Sequence, residues 1–127
     1  MFQYIKNYFY YFFNKNSLPI CKTYSCGSKW WYANGQVHRE DGPAIEYPNG
    51  TKCWYKNGHL HRENGPAIKD ADGAEEWWVN GKRHRTNGPA LIWQDGIEEW
   101  YENGVYIPYK GNYSFIKAVS LYAKRKK

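Results

Sequence analysis

The sequence of 127 residues lacks any apolar run that could cross a membrane. A transmembrane helix needs about 20 predominantly apolar residues, and the most apolar stretch, residues 1–13, consists mainly of Tyr and Phe. No small-residue cleavage site follows this stretch, so it does not read as a secretory signal peptide. These absences predict a soluble, folded domain.

Cysteine is scarce, with only Cys21, Cys26 and Cys53. The odd number and the missing signal peptide predict a reducing, cytoplasmic compartment. A zinc half-site at Cys21 and Cys26 would need two further ligands, and there is no second Cys-x-x-Cys pair. We therefore predict no metal and no cofactor.

Acidic residues are missing from both ends of the chain. Residues 1–29 carry four Lys and residues 110–127 carry six bases, whereas residues 30–109 carry eight Lys or Arg against twelve Asp or Glu. The overall charge of +6 therefore hides a central part with a charge of −4. Because affinity for phosphates comes mainly from basic side chains, nucleic-acid binding would have to come from the two ends.

The sequence contains a repeat of 23 residues that needs no gap over four copies. Asn-Gly pairs at residues 34, 57, 80 and 103 fall in register, and three copies share His-Arg and Gly-Pro-Ala segments. In the fourth copy Ile107-Pro108 replaces His-Arg, which marks the end of the array. The aligned columns are Trp31, Trp54, Trp77 and Trp100; His38, His61 and His84; Arg39, Arg62 and Arg85; and Gly42, Gly65 and Gly88.

Each copy has the pattern of short strands joined by turns. Thr51 to Lys56 alternates in polarity and ends at Asn57-Gly58, two residues that accept the positive φ of tight hairpin turns. Gly65-Pro66 predicts a corner, since glycine adopts dihedral angles closed to other residues and proline ends strand pairing. The sequence thus predicts an all-β fold, an antiparallel β-hairpin repeat array in which each unit is buried by its neighbours.

The two ends are predicted to cap this array. We divide the chain into an aromatic, basic N-terminal cap at residues 1–29, three full and one partial unit at 30–107, and a capping helix with a basic tail at 108–127. Asn112 is a suitable N-cap for that helix, and its C-terminal lysines lie near the negative end of the helix dipole.

The repeat resembles the MORN family, and more closely the variant repeats of certain bacterial antitoxin-like proteins and of phage and large-virus proteins. Residues 30–107 carry the resemblance. The Trp-x-x-Asn-Gly segments, as at Trp54 to Gly58, match the family as a whole. The His-Arg-x-x-Gly-Pro-Ala segment differs from the ordinary MORN unit and matches the variant repeats. The resemblance implies a β-hairpin ladder that contacts proteins or membranes, and it implies no conserved chemistry.

The repeated His and Arg residues are interpreted as structural. Equivalent residues on units of two strands lie about 10 Å apart, too far for one metal ion. We expect each side chain to hydrogen-bond a turn carbonyl or to stack on a column Trp. Active sites are singular and set a nucleophile beside a base, whereas these residues recur in register, so we predict that the protein is not an enzyme.

Positions that depart from the repeat are the candidates for function, because the invariant columns are committed to folding. The column Lys29, Lys52, Glu75, Glu98 changes sign along the array. We predict that an acidic surface beside two exposed indoles docks a basic partner protein. The predicted partner-binding residues are Asp72, Glu75, Glu76, Trp78, Trp93, Asp95, Glu98 and Glu99.

The predicted function is that of a non-enzymatic protein-binding module. The family resemblance suggests an antitoxin-like protein or a phage or viral counter-defence inhibitor, acting in the host cytoplasm if viral. Two alternatives stay open, a structural component of a virus particle and a nucleic-acid-binding protein that uses its basic ends and the stacking of its aromatic side chains. Membrane-surface binding through residues 1–13 is less favoured than capping, and the oligomeric state is not predicted.

Overall fold

A computed structural model describes residues 18–108, and this part of the chain contains β-strands and no helix. The predicted C-terminal helix lies outside the described residues, as do residues 1–17 of the predicted N-terminal cap. The strands are β1 (Ile20–Thr23), β2 (Lys29–Ala33), β3 (Gln36–Val37), β4 (Ile45–Glu46), β5 (Lys52–Cys53), β6 (Tyr55–Lys56), β7 (His59–Leu60), β8 (Ile68–Lys69), β9 (Glu75–Glu76), β10 (Trp78–Val79), β11 (Lys82–Arg83), β12 (Leu91–Ile92), β13 (Glu98–Glu102) and β14 (Val105–Ile107).

Ten of these strands form one antiparallel sheet. Their order is β1-β2-β4-β5-β8-β9-β12-β13-β14, and β3 also pairs with β2. Each complete unit contributes two neighbouring strands to the sheet, one before its hairpin and one after its corner. The predicted all-β antiparallel meander is therefore confirmed.

The Asn-Gly pairs form four hairpin turns, which connect β2 to β3, β6 to β7, β10 to β11 and β13 to β14. Each Asn has φ between 50° and 52°, and each following Gly has φ between 75° and 82°. Positive φ at both central residues is the geometry of a type I′ turn, which suits the twist of paired strands. The predicted hairpin turns are therefore confirmed.

Neighbouring hairpins are joined by backbone hydrogen bonds. The amide of Gly58 donates to the Val37 carbonyl at 2.9 Å, and the amide of Gly81 donates to the Leu60 carbonyl at 2.9 Å. The hairpins thus form a second hydrogen-bonded series along the array, in which β6-β7 and β10-β11 lie outside the ten-stranded sheet. Each unit is consequently held to the next at two levels, as expected of a repeat whose units contact only their neighbours.

The repeat geometry begins before Trp31. The turn at Tyr24 to Ser28 has the same two backbone hydrogen bonds as the turns at 47–51, 70–74 and 93–97, with Gly27 donating to the Tyr24 carbonyl at 2.8 Å. Strand β1 therefore takes the place of the strand that follows a corner, inside the segment assigned to the N-terminal cap. The sequence signal for this half-unit is Gly27, which lies 23 residues before Gly50.

The core is narrow and consists mainly of small side chains. Ala44, Ala67 and Ala90 are fully buried, and Ile45 and Leu91 are 2% and 1% exposed. The side chains of the tryptophan column are only half-buried. Three tryptophans of this column, Trp31, Trp54 and Trp77, are tied to the buried alanines through their backbone, as in the bond from the Trp54 amide to the Ala67 carbonyl at 2.7 Å.

The corner glycine has a different role from the predicted one. Gly65 does not adopt a left-handed conformation, so the expectation that its dihedral angles exclude other residues is wrong. A Cβ atom at Gly65 would lie 3.0 Å from the guanidinium carbon of Arg62, and Gly42 and Gly88 face the equivalent arginines in the same way. The corner needs glycine because an arginine side chain lies directly against it.

Candidate functional site

Each complete unit holds its arginine between a tryptophan ring and the corner. The guanidinium carbons lie 3.9 to 4.1 Å from the ring centroids, a cation–π geometry. One guanidinium nitrogen of each arginine also donates to a proline carbonyl at 3.0 to 3.2 Å. These contacts join Arg39 to Trp31 and Pro43, Arg62 to Trp54 and Pro66, and Arg85 to Trp77 and Pro89.

The histidine column links successive units. Nδ1 of His38 accepts the amide proton of Asn57 at 3.0 Å, and Nδ1 of His61 accepts that of Asn80 at 3.1 Å. An accepting Nδ1 places the proton of a neutral imidazole on Nε2. The partner is therefore a turn amide of the next unit rather than the turn carbonyl that we expected. Within residues 18–108, no three His, Cys, Asp or Glu side chains are grouped to hold a metal ion.

The strand register separates the predicted partner-binding residues onto two faces of the sheet. Cross-strand partners share a face, whereas consecutive strand residues point to opposite faces. Glu75 and Glu98 belong to a row that we call the charged row, and Glu76 and Glu99 belong to the opposite row. The charged row comprises Lys29, Glu46, Lys52, Lys69, Glu75, Ile92 and Glu98.

The acidic end of the charged row has an apolar centre. Glu75 pairs with Ile92 from one side and Glu98 pairs with Ile92 from the other. Directly opposite residues lie about 5 Å apart, so the two carboxyl-bearing positions are separated by roughly 10 Å with Ile92 between them. Glu98 is exposed, and Glu75 and Ile92 are half-buried. This is the part of the predicted acidic surface that remains open to a partner.

The carboxylate of Glu76 is occupied within the chain. Arg83 donates to its Oε2 through Nε at 3.0 Å and Nη2 at 2.9 Å, and the Trp78 indole donates to the same oxygen at 3.0 Å. The Glu76 side chain is only 15% exposed. Glu76 therefore stabilises the fold of the third unit, and its charge is compensated by Arg83.

Glu99 occupies the equivalent position one unit later. Its carboxylate accepts the Trp93 indole proton at 2.9 Å and the Tyr101 hydroxyl proton at 2.9 Å. Burial, reinforced by Glu99, raises the pKa of Tyr101 above its usual range. Trp78 and Trp93 are half-buried, so the expectation of two exposed indoles is wrong. The spacing of two residues between Glu76 and Trp78, and between Glu99 and Tyr101, could have indicated that the members of each pair are in contact.

The two aspartates lie in the turns between units. Oδ1 of Asp72 accepts the amide proton of Ala74 at 3.0 Å, and Oδ1 of Asp95 accepts that of Ile97 at 3.1 Å. This contact closes the turn locally, a common use of Asp and Asn. Of the eight predicted residues, the structure thus brings Glu75 and Glu98 together on one open face.

Two clefts lie between successive corners, and sequence reasoning missed them. The first, of about 580 Å³, lies between the corners that contain Gly42 and Gly65. The second, of about 450 Å³, lies between the corners that contain Gly65 and Gly88. Both are lined by the column arginines and by the two residues that follow each arginine, positions at which the copies differ.

No helix within residues 18–108 is long and apolar enough to cross a membrane. Comparison of the chain with protein-family models, with curated proteins and with solved structures found no match. The geometry of the sheet and its corners is therefore the basis for a functional proposal.

Proposed function

We propose that the protein is a non-enzymatic binding module that docks a basic segment of another protein on Glu75, Ile92 and Glu98. The observation that supports this proposal most strongly is the strand register, which sets one acidic residue on each side of Ile92. Lysine and arginine combine an apolar stem with a charged head. The stem of such a side chain can lie on Ile92 while its head reaches either carboxylate.

The remainder of the charged row directs the partner to this end. Lys52 and Lys69 are exposed and face each other across β5 and β8, so like charge repels a basic segment there. Charge complementarity of this kind mainly increases the association rate and excludes wrong registers. We therefore place the contact on the third and fourth units.

The kind of partner follows from the resemblance of the repeats. Because antitoxin-like, phage and large-virus proteins have similar repeats, we infer that the partner is a protein that this module inhibits in the cytoplasm. Inhibition by occlusion needs only a complementary surface, so it requires no catalytic group on this chain.

The test is a double charge reversal, Glu75→Lys with Glu98→Lys. The same column carries Lys29 and Lys52 in the first units, so lysine is tolerated there and the melting temperature should stay near that of wild type. Binding to a fluorescent Lys/Arg-rich peptide, and to the natural partner once captured, should fall at least tenfold. The slower step should be association, measured by stopped flow.

The matched control is Glu40→Lys with Glu63→Lys, which makes the same change in charge at corner side chains that are 48% and 77% exposed. This control should bind normally. If the reversal at Glu75 and Glu98 leaves binding unchanged, the acidic end of the row is only a solvated surface. Residual binding with a steep dependence on salt would then favour the basic ends of the chain.

A further inference from the structure

The corner loops lose their acidic residues along the array. The two residues after the column arginine are Glu40 and Asp41 in the first unit, Glu63 and Asn64 in the second, and Thr86 and Asn87 in the third. The arginine itself is retained in all three. The compensating negative charge at the corner therefore decreases from two acids to none.

The first corner shows where an anion binds to the stacked guanidinium. Nε of Arg39 donates to Oδ1 of Asp41 at 2.9 Å, and Nη1 lies 3.6 Å from the Glu46 carboxylate. The contact with Asp41 is a charge-assisted hydrogen bond, which is among the stronger hydrogen bonds of a protein, and the contact with Glu46 is an ion pair. The Arg39 side chain is thus neutralised within its own unit.

The later corners keep the cation without this partner. Asn64 and Asn87 replace Asp41, and Lys69 and Ile92 replace Glu46. Within residues 18–108, no carboxylate forms an ion pair with Arg62 or Arg85. The guanidinium groups are nevertheless held in place, because each stacks on a tryptophan and donates to a proline carbonyl.

Both of these arginines line the second cleft, of about 450 Å³, together with Asn64, Thr86 and Asn87. Its acidic lining residue is Glu63, whereas the first cleft is lined by Glu40, Asp41 and Glu63. The second cleft is therefore more positive than the first, although the scaffold is the same.

We propose that the second cleft binds the anionic side chains of an extended acidic peptide, with one carboxylate at Arg62 and one at Arg85. Each carboxylate takes the position that Asp41 occupies at Arg39. A guanidinium already fixed by stacking loses little conformational entropy on binding, which favours affinity. Asn64, Thr86 and Asn87 supply neutral hydrogen-bonding groups around the two positions.

The repeat spacing selects the form of the peptide. Each unit adds two strands at about 4.8 Å, so equivalent arginines are separated by roughly 10 Å. A polyproline II segment has three residues per turn and rises about 3.1 Å per residue, so every third side chain points the same way at about 9 Å. An acidic residue at every third position therefore matches the two arginines.

The probe is an acetylated (Glu-Pro-Pro)4 peptide, with (Gln-Pro-Pro)4 as the uncharged control. The full-length protein should bind the Glu peptide by calorimetry or by a change in tryptophan fluorescence, and bind the Gln peptide at least tenfold more weakly. In the double variant Asn64→Asp with Asn87→Asp, the introduced carboxylates should pair with Arg62 and Arg85 as Asp41 pairs with Arg39 in the first corner. Affinity for the Glu peptide should then fall at least tenfold while the melting temperature is maintained.

The reverse change should create a site. Asp41→Asn with Glu46→Lys gives the first corner the residues of the second, and the Glu peptide should bind this variant at least as tightly as wild type. Equal binding of the two peptides, or no effect of Asn64→Asp with Asn87→Asp, would overturn the proposal. Binding of oligothymidylate but not of the Glu peptide would overturn the assignment to a peptide. The reversal at Glu75 and Glu98 should leave this binding unchanged, so the two proposals fail separately.

Discussion

At the scale of single residues, the corner glycine is explained by a contact rather than by a dihedral angle. In Gly65→Ala the new methyl group displaces the Arg62 guanidinium, which lies 3.0 Å from the Cβ position. Overpacking of this kind costs about 1 to 3 kcal/mol. Urea denaturation should show this loss in the free energy of unfolding.

The control is the same substitution made in an Arg62→Ala background. Because the displaced group is then absent, Gly65→Ala should cost much less there, and a double-mutant cycle should give a coupling between the two residues. Equal costs in both backgrounds would show that the backbone at the corner, and not the arginine, requires glycine.

Because the thiol of Cys53 is buried, we expect the stability of the protein to decrease at alkaline pH. Burial, with smaller contributions from Asp70 and Glu76, raises the pKa of this thiol to about 11. An unfolded thiol ionises from about pH 8.5, so between these values the folded state holds more protons than the unfolded state. Stability should therefore fall as the pH rises through this window.

The measurement is urea denaturation between pH 7.5 and 9.0, a range in which an unfolded tyrosine, with a pKa near 10, is ionised to about 10% or less. Wild type should lose stability with rising pH, and Cys53→Ala should lose less. The free thiol of Cys53 should also react slowly with iodoacetamide in the native protein, because it is buried while Cys21 and Cys26 are exposed. Identical slopes for the two proteins would contradict the assignment.

At the scale of elements, the hairpin turns depend on glycine in two separable ways. Gly35 and Gly81 have nearly the same φ, 75° and 76°, but a Cβ atom at Gly35 meets nothing within 4 Å. A Cβ atom at Gly81 would lie 3.2 Å from Nδ1 of His59 in the preceding hairpin. Gly35→Ala should cost about 1 kcal/mol for the left-handed backbone, and Gly81→Ala should cost more because it also separates two hairpins.

Thermal denaturation of the two variants under the same conditions measures this difference. The result that would count against it is an equal loss of stability, which would mean that His59 moves aside without cost. Either outcome separates the intrinsic preference of the turn from the contact between neighbouring units.

The strands and turns also show which elements a sequence pattern can predict and which it misses. The Asn-Gly turns were predictable because positive φ at two adjacent residues is a local requirement. The half-unit that starts at β1 was missed because it has Gly27 but neither the Trp nor the His-Arg segment of a full copy. Short elements without the strongest markers are recognised only through their partners in the sheet.

At the scale of the whole molecule, an array in which units contact only their neighbours is most stable in its middle. The amides of Trp54 and Trp77 donate to the carbonyls of the buried residues Ala67 and Ala90 at 2.7 Å, and the units that contain these bonds have a neighbouring unit on each side. All four residues of β1 are exposed, and Val105 of β14 is 67% exposed. Hydrogen exchange followed by mass spectrometry should therefore show slower exchange at Trp54 and Trp77 than in β1 and β14. Uniform protection from Ile20 to Ile107 would contradict this gradient and indicate a single cooperative unit.

The two proposed binding surfaces follow from the same architecture. The acidic end of the charged row, at Glu75 and Glu98, arises where the copies differ in sequence. The same is true of the second cleft, which is lined by Arg62 and Arg85. The repeat supplies a constant backbone and constant stacks, so a change of one side chain per unit alters charge without altering the fold.

The sequence by itself determined the period, the antiparallel meander and the hairpin turns. These features depend on local backbone preferences and on the recurrence of residues in register, both of which are visible in one dimension. The acidic residues could also be identified as a group from the sequence, because the charge of a side chain is known from its residue type.

Only the tertiary structure decided which of those residues act together. Two consecutive glutamates face opposite sides of a strand, so Glu75 remained open while Glu76 was neutralised by Arg83 from another strand. Similarly, the arginines became a candidate anion site only because stacking holds them and no neighbouring unit supplies a carboxylate to Arg62 or Arg85 within residues 18–108. Availability of a charge depends on what packs against it in three dimensions, and side chains distant in sequence make that contact.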